Sequence, residues 1–483
     1  MAKVHLIYFD LHTGYYPGFH HGLAYLVSML KNEKHDVALS HLTDESDFEK
    51  TIEVLNREKP DLVGLSFTTN QKKYVRSFLD KDNLNAKLII AGGVHCTLSK
   101  EQVFENFPKI EGICVGEGEV PLQQLCHYLD NDQNYLTTSS FYFKVNNSIV
   151  KNPVAHLQKI DNMIPPDYTL FDYRKIIRDS GNCFQMMLSR GCPYNCYYCC
   201  NHALRQTYLS KEKYVRFPSI QHSMKIIKNN LSLCPGTKKI VLADDTFTLN
   251  KEWLSDFCNQ YKEEIGLPFL CNARVETINE EIVQWLKNAG CISLDIGVES
   301  GNEWLRTNIL NRKYTNKEIK AVFNIVKNYG IKQFSYNMVG LPFETKEMAK
   351  DTLKLNMELK PSFGKCFYFY PYPRTRLHKL CKDFDLLFDN TESLSGYLEA
   401  PSLKETFMSH KEMKKYFELA QVFFYSRLLF SKTKKFFLVE KLLLKVLFLF
   451  KEPVLWLLSS TTKSETILKS RRIMRRLAMK YLR

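Results

Sequence analysis

Two series of alternating strand-like and helix-like segments run through roughly the first 380 residues. In the first series, short apolar runs predict buried strands, and apolar residues at helical spacing predict a helix at Gly22–Asn32. The predicted strands are Val4–Phe9, Asp61–Ser66, Lys87–Ala91 and Ile113–Val115. Strands that alternate with helices favour a parallel sheet in a doubly wound, Rossmann-like domain, which we place at residues 1–150.

The second series follows a less regular stretch. Asn146-Asn147 predicts a hairpin turn, and residues 151–180, broken by Pro165-Pro166, are interpreted as a linker. The predicted strands are Phe184–Ser189, Lys239–Ala243, Phe269–Arg274, Ile292–Val298, Gln333–Val339 and Cys366–Tyr370. Six βα units predict a partial barrel at residues 181–378, because a complete eight-unit barrel needs about 250 residues. The expected fold class is therefore α/β, followed by an α-helical region at residues 379–483.

Basic charge is concentrated in this helical region, where we predict helices at Lys404–Leu429 and Lys434–Phe450. The chain has a net charge of +15, and its last 53 residues carry 14 lysines and arginines against three glutamates. A basic amphipathic tail on anionic lipid explains both the charge and the many Phe and Leu residues. Contact with nucleic acid explains only the charge and is disfavoured. A helical subdomain that packs on the barrel with a solvated basic face is the third explanation.

The overall composition is that of a globular protein. Hydrophobic residues make up 45% and charged residues 25% of the chain, which excludes a mainly disordered chain or a fibrous repeat. The first ten residues turn polar too early for a signal peptide, and no segment reaches the roughly 18 uncharged apolar residues of a spanning helix. We expect a cytoplasmic protein, with peripheral contact at the inner face of the membrane as a further option.

Four of the 14 cysteines lie within nine residues: Cys192, Cys196, Cys199 and Cys200. The first three, in a loop with Gly, Pro and Asn, can hold one metal cluster, since thiolates are the ligands of iron–sulfur clusters. Zinc is the alternative, although structural zinc sites take four ligands in two separated pairs, and Cys200 and His202 keep it open. If the segment is extended, the side chain of Cys200 points away from that of Cys199 and is not a ligand.

The spacing Cys-x-x-x-Cys-x-x-Cys, with an aromatic residue before the third cysteine, resembles the cluster motif of radical S-adenosylmethionine (SAM) enzymes. It follows the first strand of the six-unit series, as in the partial barrel of that superfamily. Nine further segments resemble the branch with an N-terminal cobalamin-binding domain. They are Gly22–Leu26, Asp61–Ser66, Gly92–Thr97, Gly116–Glu119, Ala243–Phe247, Asn272–Arg274, Gly297–Gly301, Gly340–Thr345 and Tyr370–Pro373.

The resemblance implies that Cys192, Cys196 and Cys199 hold a 4Fe–4S cluster whose open iron binds SAM. One-electron reduction then cleaves SAM to methionine and a 5′-deoxyadenosyl radical, which abstracts a hydrogen atom from the substrate. Tyr198 would lie near the adenine. A one-electron reductant such as flavodoxin or ferredoxin is the implied partner.

Three residues at strand ends, Asp245, Arg274 and Glu299, are the implied ligands of the polar groups of SAM. A zwitterionic, hydroxylated and cationic ligand requires carboxylates and a positive group around it. An ordinary buried ion pair or a strand-end cap is the alternative for each of the three. The residues that would act on the substrate stay unknown.

Cobalamin is the third implied cofactor. Many cobalamin domains supply a histidine to cobalt from Asp-x-His-x-x-Gly after the first strand, and Asp10–Gly14 is one residue shorter, with His12 as the candidate ligand. Gly92, Gly93 and Gly116 suit close approach of the backbone to a flat macrocycle. They suit tight turns between strand and helix equally well.

These features together predict a cobalamin-dependent radical SAM enzyme that transfers a methyl group to an unactivated carbon of a small or lipid-like molecule. The same scaffold supports ring closure, oxidation or rearrangement without methyl transfer. Modification of RNA held by the basic tail is a further alternative.

Overall fold

This computed structural model describes residues 1–11, 18–81, 84, 86–388, 397, 398 and 400–430, except for the side chains of 428–430. Contacts between residues divide the chain into two compact units. The first unit comprises Met1–Ile177, Gln185–Thr237 and Tyr372–His378. The second comprises Arg178–Phe184, Lys238–Pro371 and the chain from Lys379 onward.

The first unit contains a seven-stranded sheet of order β2-β1-β3-β4-β5-β6-β7. Its strands are β1 Lys3–Phe9, β2 Asp36–Leu42, β3 Leu62–Ser66, β4 Ile89–Gly92, β5 Gly112–Cys114, β6 Phe141–Val145 and β7 Ser148–Lys151. Strands β1 to β5 are parallel, whereas β6 and β7 form an antiparallel hairpin that extends the sheet from β5. The predicted parallel sheet and the turn at Asn146-Asn147 are confirmed, and Asn146 adopts the positive φ of 52° that such a turn requires.

The helices of residues 1–233 are α1 His21–Asn32, α2 Asp47–Glu58, α3 Lys72–Leu79, α4 Val94–Ser99, α5 Gln102–Asn106, α6 Glu119–Asp130, α7 Tyr173–Asp179, α8 Asn201–Arg205 and α9 Ile220–Leu233. Of these, α1 to α5 connect the parallel strands β1 to β5. The first connection shows how the sequence sets a helix start, since the side chain of His20 accepts a hydrogen bond from the backbone N–H of Leu23. A continuous core of Phe, Leu, Ile and Val side chains covers one face of the sheet, including Phe9, Phe48 and Phe78.

The strand β2 was not predicted. Its sequence alternates polar and apolar residues, and its side chains are partly exposed except for Leu42. It lies at the edge of the sheet, so it lacks the continuous apolar run by which the buried strands were recognised.

The second series forms a six-stranded sheet of order β13-β12-β11-β10-β9-β8, which curls into a half-barrel of parallel strands. The strands are β8 Cys183–Met186, β9 Lys239–Leu242, β10 Phe269–Ala273, β11 Cys291–Glu299, β12 Lys332–Val339 and β13 Phe363–Tyr368. The helices of this part are α10 Lys251–Glu264, α11 Glu280–Asn288, α12 Asn316–Asn328, α13 Lys346–Leu359, α14 Arg376–Asp383 and α15 His410–Phe430. The predicted six-unit partial barrel is confirmed.

Helix α15 packs on β13 and α13 within the second unit. The ring of Tyr368 stacks on Phe417 at 4.3 Å between centroids, and a Cβ on Gly364 would lie 2.4 Å from the ring of Phe424. The predicted start at Lys404 is wrong, because Ser409 and Glu412 exchange hydrogen bonds in a capping box that begins the helix at His410.

Within the described residues, no helix is long and apolar enough to cross a membrane. The predicted helix Lys434–Phe450 and the basic tail lie outside the described residues.

Candidate cofactor sites

A cavity of about 350 Å³ opens at the carboxyl ends of β3, β4 and β5 in the first unit. The strand order reverses beside it, between β1 and β3, which is where ligands of doubly wound sheets bind. Its floor is apolar, formed by Leu6, Leu26, Ile90 and Leu122. Polar groups at Ser66, Thr97, Glu117 and Arg190 join the lining, so the cavity suits a large ligand with an apolar body and polar substituents.

All three predicted glycines, Gly92, Gly93 and Gly116, line this cavity. Gly93 and Gly116 have positive φ angles of 90° and 99°, and a Cβ on Gly116 would lie 2.8 Å from the hydroxyl oxygen of Tyr208. At these two positions the backbone conformation and the neighbouring atoms therefore favour glycine over any residue with a Cβ. A Cβ on Gly92 would meet only the Cβ of Cys114, at 3.8 Å, so Gly92 is the one of the three that the local packing does not require.

Two adjacent histidines also line the cavity, whereas His12 lies outside the described residues. In His20, Nδ1 accepts from the N–H of Leu23 and Nε2 lies 3.1 Å from the hydroxyl of Ser66, so both ring nitrogens are bonded. In His21, Nδ1 lies 2.9 Å from the Tyr168 hydroxyl, and the buried Nε2 has no partner among the described residues. Burial lowers the pKa of His21 to about 3, which keeps its imidazole neutral.

A network of four charged side chains forms part of the cavity region. The guanidinium of Arg190 lies 3.0 Å from Glu117 and 2.6 Å from Glu119, and Arg216 pairs with the other oxygen of Glu117. Both arginine side chains are at most 16% exposed, and both glutamate side chains at most 25%. The predictions from sequence missed this network. Arg190, Glu117 and Glu119 lie in two segments that were singled out, Ser-Arg-Gly-Cys and Gly-Glu-Gly-Glu, whereas Arg216 lies in a third segment that was not.

The predicted cluster ligands lie in the loop that follows β8, in the same unit as the cavity. Cys192 and Cys196 are buried and Cys199 is partly exposed. The N–H of Cys199 donates to the carbonyl of Cys196, so the two cysteines share one turn, in which Tyr198 also lies. Arg205 of α8 donates to the carbonyl of Pro193 at 2.7 Å and holds the loop between the first two cysteines.

The zinc alternative finds no support in this geometry. Among the residues that the structure describes, no three His, Cys, Asp or Glu side chains come together to hold a single metal ion. The three thiolates of a 4Fe–4S cluster bind three different irons, so convergence on one ion is not required there. The extended segment expected at Cys200 is wrong, because the φ and ψ of Cys200, −70° and −19°, are helical and this residue is the N-cap of α8.

Glu299, at the end of β11 in the second unit, has a strained backbone. Its φ is 65°, a left-handed conformation that costs a non-glycine residue about 1–3 kcal/mol. Its carboxylate pairs with Arg312, whose side chain is 3% exposed, and a Cβ on Gly297 would lie 2.7 Å from a guanidinium nitrogen of Arg312. The strand-end pair thus packs directly on the glycine backbone, and Arg312 is a partner that the sequence did not predict.

The other two predicted SAM residues also follow strand ends in the second unit. Arg274 comes directly after β10 and pairs with Glu276 at 2.6 Å, with its own side chain 8% exposed. Asp245 is exposed in the turn after β9. Glu344 lies in the segment Gly340–Thr345, which was also singled out in the sequence. Its carboxylate accepts hydrogen bonds from the N–H groups of Gly340 and Leu341, and burial raises its pKa to about 8.

Each of the two series of strands and helices matches the model of a known protein family. Residues 186–355 match the model of the radical SAM superfamily, and residues 10–126 match that of the B12-binding domain. The chain combines a B12-binding domain with a radical SAM domain. The family predicted from the cysteine motif and the strand-end segments is therefore confirmed, and with it an enzyme of this class. The two matched domains agree with the predicted cofactors, which are SAM, an iron–sulfur cluster and cobalamin.

Proteins of known sequence and structure resemble the chain over most of its length. It is 28% identical to an uncharacterized methyltransferase of Pyrococcus horikoshii over 84% of this chain and 87% of the relative. It is 25% identical to the anaerobic magnesium-protoporphyrin IX monomethyl ester cyclase of Cereibacter sphaeroides, over 76% of this chain and 61% of the cyclase. The radical SAM methyltransferase TsrM from Kitasatospora setae, solved with cobalamin and a [4Fe-4S] cluster, superposes with a TM-score of 0.66 at 15% identity, covering 86% of this chain and 82% of TsrM. This likeness shows the fold.

Proposed function

We propose that this enzyme transfers a methyl group from SAM to an unactivated carbon of a small or lipid-like molecule. The proposal assigns the cluster to Cys192, Cys196 and Cys199, and cobalamin to the cavity of the first unit. Its support is the pair of matched families together with the methyltransferase relative from Pyrococcus horikoshii. In such chemistry the reduced cluster cleaves SAM to start a radical reaction, and cobalamin carries the methyl group.

The chain's own residues have binding and positioning roles in this proposal. The cysteine loop supplies the three thiolates, and Arg205 holds the part of this loop between Cys192 and Cys196. The apolar floor of the cavity excludes water from a bound macrocycle, while the backbone of Gly92 and Gly93 allows its close approach. Tyr198 is proposed to lie against adenine, and Asp245, Arg274 and Glu299 to bind the polar groups of SAM.

One observation carries the proposal: Arg190 lines the cavity and stands two residues before Cys192. The first unit therefore contains both a cavity suited to cobalamin and the loop suited to a cluster. A metal-binding or scaffold protein without catalysis would not require this juxtaposition.

The test is anaerobic purification with hydroxocobalamin supplied, followed by iron, sulfide and cobalt analysis. We expect about four irons and one cobalt per chain, and formation of 5′-deoxyadenosine from SAM after addition of dithionite. Cys196→Ala should contain little iron and form no 5′-deoxyadenosine, whereas Cys258→Ala, which changes a buried cysteine of α10, should behave as the wild type. Turnover by Cys196→Ala, or none by a fully loaded wild type, would contradict the proposal.

Radical chemistry without methyl transfer is the second candidate, because the chain also resembles the anaerobic cyclase of Cereibacter sphaeroides. SAM with a ¹⁴C-labelled methyl group, incubated with the loaded enzyme and small-molecule extract, separates the two. Label in a new organic product supports methyl transfer. Formation of 5′-deoxyadenosine in proportion to a new unlabelled product supports cyclisation or oxidation.

We propose that His12 would bind the cobalt of cobalamin, and the buried Nε2 of His21, which has no partner among the described residues, makes His21 the rival candidate. Electron paramagnetic resonance of the reduced cobalamin-loaded protein distinguishes them. A nitrogen splitting that is lost in His12→Ala and retained in His21→Ala supports His12, and the reverse supports His21. A spectrum without nitrogen splitting rejects both.

We further propose flavodoxin or ferredoxin as the one-electron donor and a cytoplasmic location, with lipid contact through the basic tail. Removal of residues 431–483 should abolish binding to anionic liposomes while 5′-deoxyadenosine formation persists. Salt-sensitive binding to RNA that is lost in the same truncation would instead favour the nucleic-acid alternative.

A further inference from the structure

The four-residue network around Arg190 is balanced in charge and shielded from water. Arg190 and Arg216 supply two positive charges, and Glu117 and Glu119 supply two negative charges. Arg216 also donates to the carbonyl of Gln158 at 2.6 Å. A guanidinium that spans two carboxylates fixes its own position more closely than a lysine could, because its donors form a rigid fork.

The network is tied to the cysteine loop through the backbone. The N–H of Arg190 donates to the carbonyl of Arg216, and the N–H of Arg216 donates back to the carbonyl of Arg190, both at 2.9 Å. Next in the chain, Gly191 has a φ of 82°, and a Cβ there would lie 2.5 Å from the carbonyl oxygen of Tyr214. The backbone that leads into Cys192 is therefore closely packed at Gly191. The ion pairs of the Arg190 side chain hold the same segment in place.

Three residues of the same network, Arg190, Glu117 and Glu119, also line the cavity. Arg190 lies over the ring of Tyr25, 4.6 Å from its centroid, and both residues line the cavity. Glu117 and Glu119 line it as well, and the N–H of Glu117 donates to the hydroxyl of Tyr208, a further lining residue. A ligand that fills the cavity must contact the side chains that hold the cysteine loop.

We propose that Arg190 is a positioning residue that couples the two cofactor sites, so that a bound cluster tightens the binding of cobalamin and bound cobalamin tightens retention of the cluster. The cluster would bind Cys192 at one end of the segment from Ser189 to Cys192, and cobalamin would contact Arg190 within it, so both cofactors would favour the same close-packed arrangement of this segment. Linkage requires the same factor in both directions. The inference rests on the proposed function, since it takes cobalamin and the cluster as the two ligands.

The test compares dissociation constants for hydroxocobalamin, measured by absorbance titration, on protein with a reconstituted cluster and on cluster-free protein. For the wild type we expect binding about tenfold tighter with the cluster present, within the usual range of coupling between sites. In Arg190→Lys this ratio should fall below about twofold, although each cofactor still binds, because lysine keeps the charge and loses the fork. Glu119→Gln, which removes one charge and keeps the shape, should reduce the ratio in the same way.

Arg205→Lys is the matched control. Arg205 donates to Pro193 and Asn195 in the same loop and does not line the cavity. This variant should hold its cluster less tightly while the ratio of the two dissociation constants stays near that of the wild type. A merely structural role for Arg190 would affect both arginine variants alike.

The outcomes separate this inference from the function on which it rests. A wild type that binds both cofactors with no difference between the two dissociation constants overturns the coupling and leaves the function intact. A ratio near tenfold in both Arg190→Lys and Glu119→Gln overturns the role of the network. A wild type that takes up no cobalamin or no iron overturns the proposed function and the coupling with it.

Discussion

The two compact units hold their buried charges in different ways. In the first unit, Arg190 and Arg216 share Glu117 and Glu119, and each charge has a partner of opposite sign. In the second unit, Glu299 pairs with Arg312 on a backbone with positive φ, and Arg274 forms a separate pair with Glu276. Residues with a strained backbone, such as Glu299, cluster at ligand sites. The network of the first unit instead joins Arg190, next to the cysteine loop, to Glu117 and Glu119. The difference leads us to expect a positioning role for the Arg190 network and a ligand-binding role for the pair of Glu299 with Arg312.

The largest expected effect is on the balanced network. Glu119→Ala leaves Arg190 with one carboxylate in a shielded environment, and removal of one partner of a buried pair costs about 3–5 kcal/mol, with the lower end expected here because the pair is partly exposed. Urea denaturation measures this loss. Glu58→Ala, which breaks the more exposed pair with Lys3, is the control and should change stability much less than Glu119→Ala does. If the two substitutions lower the free energy of unfolding equally, the Arg190 network stabilises the protein no more than an exposed ion pair does.

The next effect concerns the pair on the strained backbone. Gly297→Ala places a Cβ 2.7 Å from a guanidinium nitrogen of Arg312, so the pair with Glu299 must shift. Overpacking of this kind costs about 1–3 kcal/mol, and we expect a weaker dissociation constant for SAM, measured by calorimetry on the cluster-loaded enzyme. A destabilised variant that binds SAM as tightly as the wild type would separate this pair from SAM recognition.

A third effect depends on pH. Burial raises the pKa of Glu344 from 4.5 to about 8, so the folded state keeps a proton that the unfolded chain loses. The stability associated with the protonated group is complete below about pH 4.5 and is lost as the pH rises toward 8. Glu344→Gln lacks this loss, so its melting temperature relative to the wild type should rise between pH 5 and pH 8.

The control for this profile is Glu318→Gln. Hydrogen bonds from Thr315 lower the pKa of Glu318, so the contribution of its charge is present above its usual pKa and is lost only in acid. The difference in melting temperature between this variant and the wild type should be constant from pH 5 to pH 8. A similar constant difference for Glu344→Gln would show that Glu344 is ionised in the folded protein.

The smallest effect on stability is expected at Gly92, where an added Cβ makes only an ordinary contact. Gly92→Ala should change the free energy of unfolding by no more than about 0.5 kcal/mol. Because Gly92 lines the cavity, the same variant should bind hydroxocobalamin more weakly. Unchanged cobalamin affinity would place the macrocycle away from this strand end.

Local patterns in the sequence were sufficient to predict the parallel strands, because buried strands such as Leu62–Ser66 are uninterrupted apolar runs. The edge strand Asp36–Leu42 was missed because half-exposed strands mix polar and apolar residues. The cysteine loop has a local spacing and was found. The Arg190 network joins residues that lie about 70 positions apart, and no local pattern records which glutamate an arginine will meet. Arg312 was not predicted as the partner of Glu299 for the same reason, because the pair forms only in the folded chain.

The hairpin that ends the first sheet has a consequence for handling the protein. Strand β7 is only four residues long, and its last residue, Lys151, carries a charge that pairs with Glu101. Short strands with lysine at a sheet edge discourage the edge-to-edge pairing of two copies that leads to aggregation. Replacing Lys151 by valine should therefore raise light scattering when the protein is concentrated for anaerobic reconstitution, with no change in either cofactor site.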